Sequence, residues 1–263
     1  MNILDQIVAN KKIEVELNKL KVKVSDLTKT QFFERENLSL SQNLKNSKSG
    51  IIAEFKRKSP SKSIINIDSS VSEVVLGYQK AGACGISILT DNQFFGGNLE
   101  DVILARNLVE TPILRKEFII DEYQIIEAKS SGADCILLIA AILSPSEIQK
   151  FSIFAKSLDL EVLLEVHEET ELERNLFPSI DMIGVNNRNL KTFQVYVETS
   201  KTLSGLIPKE FVKVSESGIS EVKTVNELRE FDFEGFLIGE NFMKTNDPGS
   251  NAIEFIKQVE NGN

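Results

Sequence analysis

Eight times between Gly50 and Asn241 the same unit recurs: a short β-rich apolar run, a polar or glycine-bearing exit, then a helix-like segment. The runs are Gly50–Lys56, Gly85–Asp91, Pro112–Phe118, Cys135–Ala141, Glu161–His167, Met182–Arg188, Phe211–Ser217 and Gly235–Asn241. Their starts lie roughly 20 to 35 residues apart, which leaves room for a crossover helix each time and none for hairpins. Helix slots fall at Val71–Ala81, Leu99–Val109, Tyr123–Ser131, Pro145–Leu158, Glu169–Phe177, Val197–Leu203, Val222–Phe231 and Asn251–Val259. Gly82 and Gly132 stand where a helix C-terminus needs a left-handed residue. Eight such units predict a (β/α)8 TIM barrel. A doubly wound open sheet also alternates strands and helices, but no glycine-rich dinucleotide fingerprint follows the first run.

The 263 residues, 41% of them hydrophobic, suit one barrel of about 250 residues. Residues 50–263 are assigned to the barrel and 1–49 to an N-terminal helical extension. In that extension Ile3, Leu4, Ile7 and Val8, then Ile13, Leu17 and Leu20, recur at helical spacing. Ser25-Asp26 is read as the cap of a short second helix holding Phe32 and Phe33, and Ser39 to Lys48 as a polar connector. The extension is too small to stand alone and is expected to pack on the barrel.

A net charge of −9 and a pI near 4.9 argue against a general nucleic-acid or anionic-membrane surface, so an anionic ligand must be caught by a local basic cluster. Cys84 and Cys135 each lie in or beside an apolar run without metal-ligand spacing, and are read as core residues in a reducing compartment. Met1 to Asp5 carry no secretory signal, and no apolar run approaches the roughly 20 residues of a membrane span. The expectation is a soluble, cytoplasmic monomer that binds no nucleic acid and no membrane, with no second enzyme fused after the eighth helix.

Barrels of this kind carry their chemistry at the C-terminal ends of the strands. On the first run, Ile52, Glu54 and Lys56 share one face and Ile51, Ala53 and Phe55 the other. Arg57, Lys58 and Lys62 crowd its exit around Ser59-Pro60-Ser61, a place for an anion. The third run puts Leu114, Lys116 and Phe118 on one face, and the fifth puts Glu165 on the face of Leu163. The sixth ends in Asn186-Asn187-Arg188, the seventh in Ser215-Glu216-Ser217-Gly218 and the eighth in Gly239-Glu240-Asn241. Alternation turns Glu216 and Ser217 to opposite faces and does not settle which one faces the site. Glu54, Lys56, Lys116, Glu165 and Glu216 form an approximately balanced charge set, which reads either as a structural ion-pair network or as a site of shifted pKa values.

The wording from Glu54 to Lys62 resembles the signature of indole-3-glycerol phosphate synthase. The resemblance continues through Asp91–Asp101, Pro112–Asp121, Gly132–Ala141, Gly184–Leu190 and Ser215–Ile219. It implies ring closure of 1-(2-carboxyphenylamino)-1-deoxyribulose 5-phosphate to indole-3-glycerol phosphate, with loss of carbon dioxide and water and without a cofactor. It also implies roles: Lys116 as general acid, Glu165 as general base, and Lys56 holding the substrate carboxylate and positioning Lys116 or sharing its acid role. Glu54 and Glu216 would orient the lysines and substrate, Asn186 and Ser217 would hydrogen-bond the intermediate, and Arg188 would pair with a carboxylate. Phe118 joins the substrate-binding residues, and the phosphate would sit on Ser59, Gly218, Gly239 and the backbone of Glu240. Ser63, where a glycine is common, and Asn241-Phe242 depart from the family's habit.

The reaction fits these residue types, since a developing alkoxide needs an acid and the final dehydration needs an acid and a base. Arg115 and Lys56 are read as the neighbours that poise Lys116. His167 has the residue type of a base, but the family gives it no role and it is read as a strand-end or loop residue. The rival readings are a Schiff-base aldolase using Lys116 or Lys56, a barrel that binds phosphate without catalysis, and phosphoribosylanthranilate isomerase, which lacks the EFKxxSPS wording.

Overall fold

The computed structural model describes residues 2–62, 64–189 and 192–262; Ser63 and Leu190, singled out above, lie outside them. Eight parallel strands close a barrel in sequence order: β1 (Ile51–Phe55), β2 (Gly85–Leu89), β3 (Ile113–Lys116), β4 (Cys135–Ile139), β5 (Glu161–Val166), β6 (Met182–Asn186), β7 (Val212–Glu216) and β8 (Gly235–Ile238). Each stops one to three residues short of the apolar run that announced it, because the polar exit residues leave the ladder to form the rim. Helices occupy every expected slot. The last one starts earlier than expected, at Pro248, where Asp247 caps the Ser250 N–H and proline takes the first turn. Gly132 (φ 87°) ends the helix Glu122–Ser131 as anticipated. Two short helices, Asn92–Phe95 and Glu240–Met243, were not anticipated and sit at the exits of β2 and β8.

Strand alternation builds two cores. Ile51, Ala53, Phe55, Ile86 and Ile88 face the helices, while Ile52, Leu114, Leu137, Leu163, Met182, Val214 and Leu237 fill the barrel. Cys84 and Cys135 are free thiols in the inner core, and burial pushes the Cys135 thiol well up.

The N-terminal segment differs most from its sequence reading. Phe32 and Phe33 lie in turns after a four-residue helix, Val24–Leu27, whose N-cap is Lys23 and not Ser25. The supposed connector is a helix, Leu40–Asn46, capped by Ser39; Leu40 and Leu44 plug the bottom of the barrel. Glu161 at the start of β5 holds that plug by accepting from the Ser39 and Ser41 hydroxyls, each at 2.6 Å. Gly85 is the matching concession, since a Cβ there would lie 2.3 Å from Leu40 Cδ1.

The helix Ile3–Lys21 buries Ile7, Lys11 and Val15, whereas Ile13, Leu17 and Leu20 are exposed. The docking row is thus spaced by four with a lysine at its centre, which a count of apolar residues discards. Lys11 is fully buried, with Nζ 3.0 Å from Asp91 Oδ2, 3.0 Å from Glu117 Oε1 and 2.9 Å from Glu14 Oε2. Burial alone would lower its pKa; the carboxylates of Glu117, Asp91 and Glu14 prevail and hold it above the usual lysine range. No helix among the described residues is long and apolar enough to cross a membrane.

Removing Lys11 leaves the buried Asp91 without its cation and Glu117 with only Arg115, 3.9 Å away. Lys11→Met should therefore lower stability by about 3–5 kcal/mol, the usual loss on breaking one side of a buried ion pair. Urea unfolding followed by far-UV circular dichroism measures this, and a loss under about 1 kcal/mol would mean that the cluster is not what holds the helix.

Candidate active site

At the C-terminal rim the alternation that fills the barrel with leucine and valine higher up the chain places charges. Lys116 ends β3, Glu165 lies near the end of β5, Glu216 ends β7 and Glu54 lies near the end of β1. Lys116 Nζ stands 2.5 Å from Glu216 Oε2 and 3.1 Å from Glu165 Oε2, and Lys56 Nζ 2.6 Å from Glu54 Oε1. Three carboxylates and two ammonium groups leave the mouth with one negative charge too many if all are ionised.

The excess divides unequally. Burial would lower the pKa of Lys116, but Glu216, Glu165 and Glu54 outweigh it and hold the ammonium well above the ordinary lysine range. Glu216 is pushed up to about 7 by burial, with Glu165 and Glu54 adding to the push and Lys116 opposing it. Burial acts on Glu165 in the same direction, yet Lys116, His167 and a hydrogen bond from Asn186 bring it below the usual glutamate value. Two carboxyl groups on one lysine are thereby separated into a firm anion and one that takes a proton near neutrality.

A cavity of about 330 Å³ opens over this cluster, and every site residue singled out from the sequence lines it: Glu54, Lys56, Ser59, Lys116, Phe118, Glu165, Asn186, Arg188, Glu216, Ser217, Gly218, Gly239 and Glu240. The open question at β7 resolves through the backbone. Glu216 is the last strand residue and points inward, while Ser217 (φ 67°) and Gly218 (φ 79°) turn in the left-handed region and bring Ser217 back to the cavity. Asn187 fixes that turn from behind. Its Nδ2 donates to Ser215 Oγ, Glu216 O and Ser217 O at 3.0, 3.0 and 3.1 Å. Sequence reasoning gave Asn187 no role, and only its doubling with Asn186, one facing in and one out, hinted at it.

Other expectations change. Arg115 points away from Lys116 into the helix layer, where it donates to Gln124 O and pairs with Glu127, so it does not poise the lysine. Nor is there a free basic cluster after β1: Arg57 pairs with Asp101, Lys58 donates to Gln93 O, and Lys62 lies 2.6 Å from Glu240 Oε1. Gly239 makes room for a side chain, since a Cβ there would meet Glu54 Oε1 at 2.3 Å. Gly184 on β6 does the same for Glu216, whose Oε1 would lie 2.4 Å from the added atom. The sequence reading also missed the apolar wall made by Ile3, Leu4 and Ile7 of the N-terminal helix with Phe95, Leu137 and Ile139. Phe95 and Phe118 face each other there with ring centroids 5.8 Å apart. Its signal was present in the aromatic pair Phe94-Phe95 just after β2.

Among the described residues no group of three or more His, Cys, Asp or Glu side chains is placed to hold a metal ion. The closed parallel barrel and its charged rim put the chain among the TIM-barrel enzymes. Solved structures share this architecture at low sequence identity: 3-hexulose-6-phosphate synthase from Salmonella typhimurium (TM-score 0.63, 14% identity, 81% of this chain and 99% of that one) and the tryptophan synthase complex from Pyrococcus furiosus (TM-score 0.60, 14% identity, 80% and 97%). The family is set by sequence. The model of the indole-3-glycerol phosphate synthase family matches residues 4–255. The indole-3-glycerol phosphate synthase of Bacteroides thetaiotaomicron is 49% identical over 98% of this chain and 99% of its own length; that of Aliarcobacter butzleri is 42% identical over 92% and 94%. The chain belongs to the indole-3-glycerol phosphate synthase family, whose members are carboxy-lyases.

Gly184→Ala tests the seat of Glu216. The added methyl displaces the carboxylate from Lys116, and kcat should fall by roughly 10²-fold, as when a reacting group is misplaced by about 1 Å. Steady-state kinetics with a parallel melting curve reads the effect, and an unchanged kcat would show that the Glu216 position is not needed.

Proposed function

We propose that this protein closes the indole ring of indole-3-glycerol phosphate from 1-(2-carboxyphenylamino)-1-deoxyribulose 5-phosphate, in tryptophan biosynthesis. The observation that carries the reading is the buried Lys116 held between Glu165 and Glu216, at the boundary of an apolar wall and a polar one.

The substrate's aryl ring lies against Phe118 and Phe95, and its carboxylate is drawn to Lys56, with Arg188 pairing with a carboxylate at the mouth. The ring carbon bearing that carboxylate attacks the C2' carbonyl. The carbonyl π electrons move to oxygen, which takes a proton from Lys116. Breaking the carbon–carboxylate bond returns an electron pair to the ring and releases carbon dioxide. Lys116, reprotonated by the one proton that the overall reaction takes up from solvent, then protonates the hydroxyl, which leaves as water, and Glu165 removes the C1' proton whose loss completes the double bond. Glu54 and Glu216 orient the lysines, and Asn186 and Ser217 hydrogen-bond the intermediate. Ser59, Gly218, Gly239 and the backbone of Glu240 receive the phosphate, where amides supply the contacts.

Electrostatics disfavours the aldolase alternative at Lys116. A Schiff base needs a neutral amine, and the carboxylates around Lys116 hold its proton on. A barrel that only binds phosphate has no use for a buried acid and base inside its pocket. The proposal extends to a cytoplasmic monomer with no cofactor and no nucleic-acid or membrane partner, in keeping with the net charge of −9.

Purified protein given the carboxyphenylamino-deoxyribulose phosphate should produce indole fluorescence, undiminished after exhaustive chelation. No turnover at high enzyme concentration would overturn the activity, and loss with chelator would overturn its metal independence. Glu165→Gln and Lys116→Met should each lower kcat by on the order of 10²-fold or more with substrate still bound, the usual scale for a general acid or base. A Glu165→Gln enzyme at full rate would remove the base assignment.

A further inference from the structure

Two residues beyond Glu165, outside the lining of the cavity, sits the chain's single histidine. His167 follows the last residue of β5 at a bend, with its side chain 14% exposed. Its Nε2 lies 3.4 Å from Glu165 Oε1 and its Nδ1 3.5 Å from Glu171 Oε2, and its backbone N–H donates to the same Glu171 oxygen at 2.6 Å. The two oxygens of Glu165 are therefore divided: Oε2 faces Lys116 and Oε1 faces the imidazole.

We propose that His167 is a positioning residue for the reaction: its imidazolium, lying between Glu165 and Glu171, orients the Glu165 carboxylate and keeps it anionic when Lys116 has given up its proton. The inference rests on Glu165 being the base. At the moment of proton donation Lys116 becomes neutral, and Glu165 would otherwise face Glu216 and Glu54 in a poorly solvated mouth without a cation beside it. A second cation on the far oxygen removes that penalty without entering the substrate's space, since His167 does not line the cavity.

The charged groups around the ring agree in sign. Burial would lower the pKa of His167, but Glu171 on the next helix, Glu165 on its own strand and Glu216 on β7 outweigh it and raise it. Lys116 reaches Glu165 from β3, Asn186 hydrogen-bonds it from β6, and β4 presents Ile139 at the Glu165 register. Because its folded-state pKa is raised, His167 carries its charge up to a higher pH than a free histidine, and it loses that charge as the pH rises through the folded value.

A single histidine makes the imidazole resonances unambiguous. Heteronuclear NMR of the intact protein should show His167 titrating above the free value of about 6.5, and its pKa should fall by ~1 unit in both Glu165→Gln and Glu171→Gln. In His167→Asn the acid limb of the kcat profile should move to higher pH by ~1 unit, a loss of about 10-fold at pH values below the parent's limb, with KM and the alkaline rate nearly unchanged. His167→Lys, which restores a cation, should bring the limb back. Superimposable titrations in the parent and Glu165→Gln would overturn the proposal, as would a pH-independent loss in His167→Asn. Should His167→Asn fail to fold, the titration in Glu171→Gln decides, because that side chain lies nearer the surface. The titration is independent of turnover: a fully active Glu165→Gln enzyme would remove the base assignment, while the pairing of ring and carboxylate is judged by NMR alone.

Discussion

Every feature of the rim follows from placing more negative than positive charge where water is scarce. A carboxylate or ammonium at the barrel mouth loses several kcal/mol of hydration and regains it only through close partners. Lys116 can satisfy Glu165 and Glu216 together only if both lean towards it, and the neighbouring strands give way for them. Gly184 leaves the space that Glu216 takes, and Gly239 the space that Glu54 takes. Gly239, which in sequence looks like a phosphate-site residue, is thus also, like Gly184, a mould in which an acidic side chain is cast.

Much of this was legible beforehand because a barrel strand shows its plan in two-residue alternation. Ile52-Ala53-Glu54 already separates the inner from the outer face, and the closed sheet turns Lys116 and Glu165 to the expected side, while Glu216, which alternation left open, proves to point inward. The illegible parts are those where a polar residue does an apolar residue's job or the backbone leaves the regular strand. Lys11 occupies the centre of a docking row, so apolar periodicity, right at Ile3, Leu4 and Ile7, goes astray further along the helix at Ile13, Leu17 and Leu20. Ser217 lies beyond the alternation, and only its left-handed backbone returns it to the cavity. Arg115 looked like a neighbour of Lys116 in sequence, yet adjacent strand residues point to opposite sides of the sheet. His167 lies at the strand end where the sequence put it, but its contact with Glu165 across the bend could not be read from sequence.

Adjacent residues of β3 and its exit divide their labour. Lys116 turns inward to the reacting cluster, while Glu117, accepting from the Thr90 hydroxyl at 2.6 Å, turns to Lys11 of the N-terminal helix. The same helix contributes Ile3, Leu4 and Ile7 to the apolar wall. Tether and wall are one element, so the shape of the pocket and the anchoring of the extension cannot vary separately.

That arrangement also orders the assembly of the molecule. Lys11 belongs to an early-made stretch of chain, but its partners Asp91 and Glu117 do not exist until three strands have been synthesised. Closing so long a loop costs entropy that only the finished rim returns. The first helix cannot be held by those two carboxylates before β3 has been made, so the oldest part of the polypeptide is a wall of the pocket that the later chain must fasten.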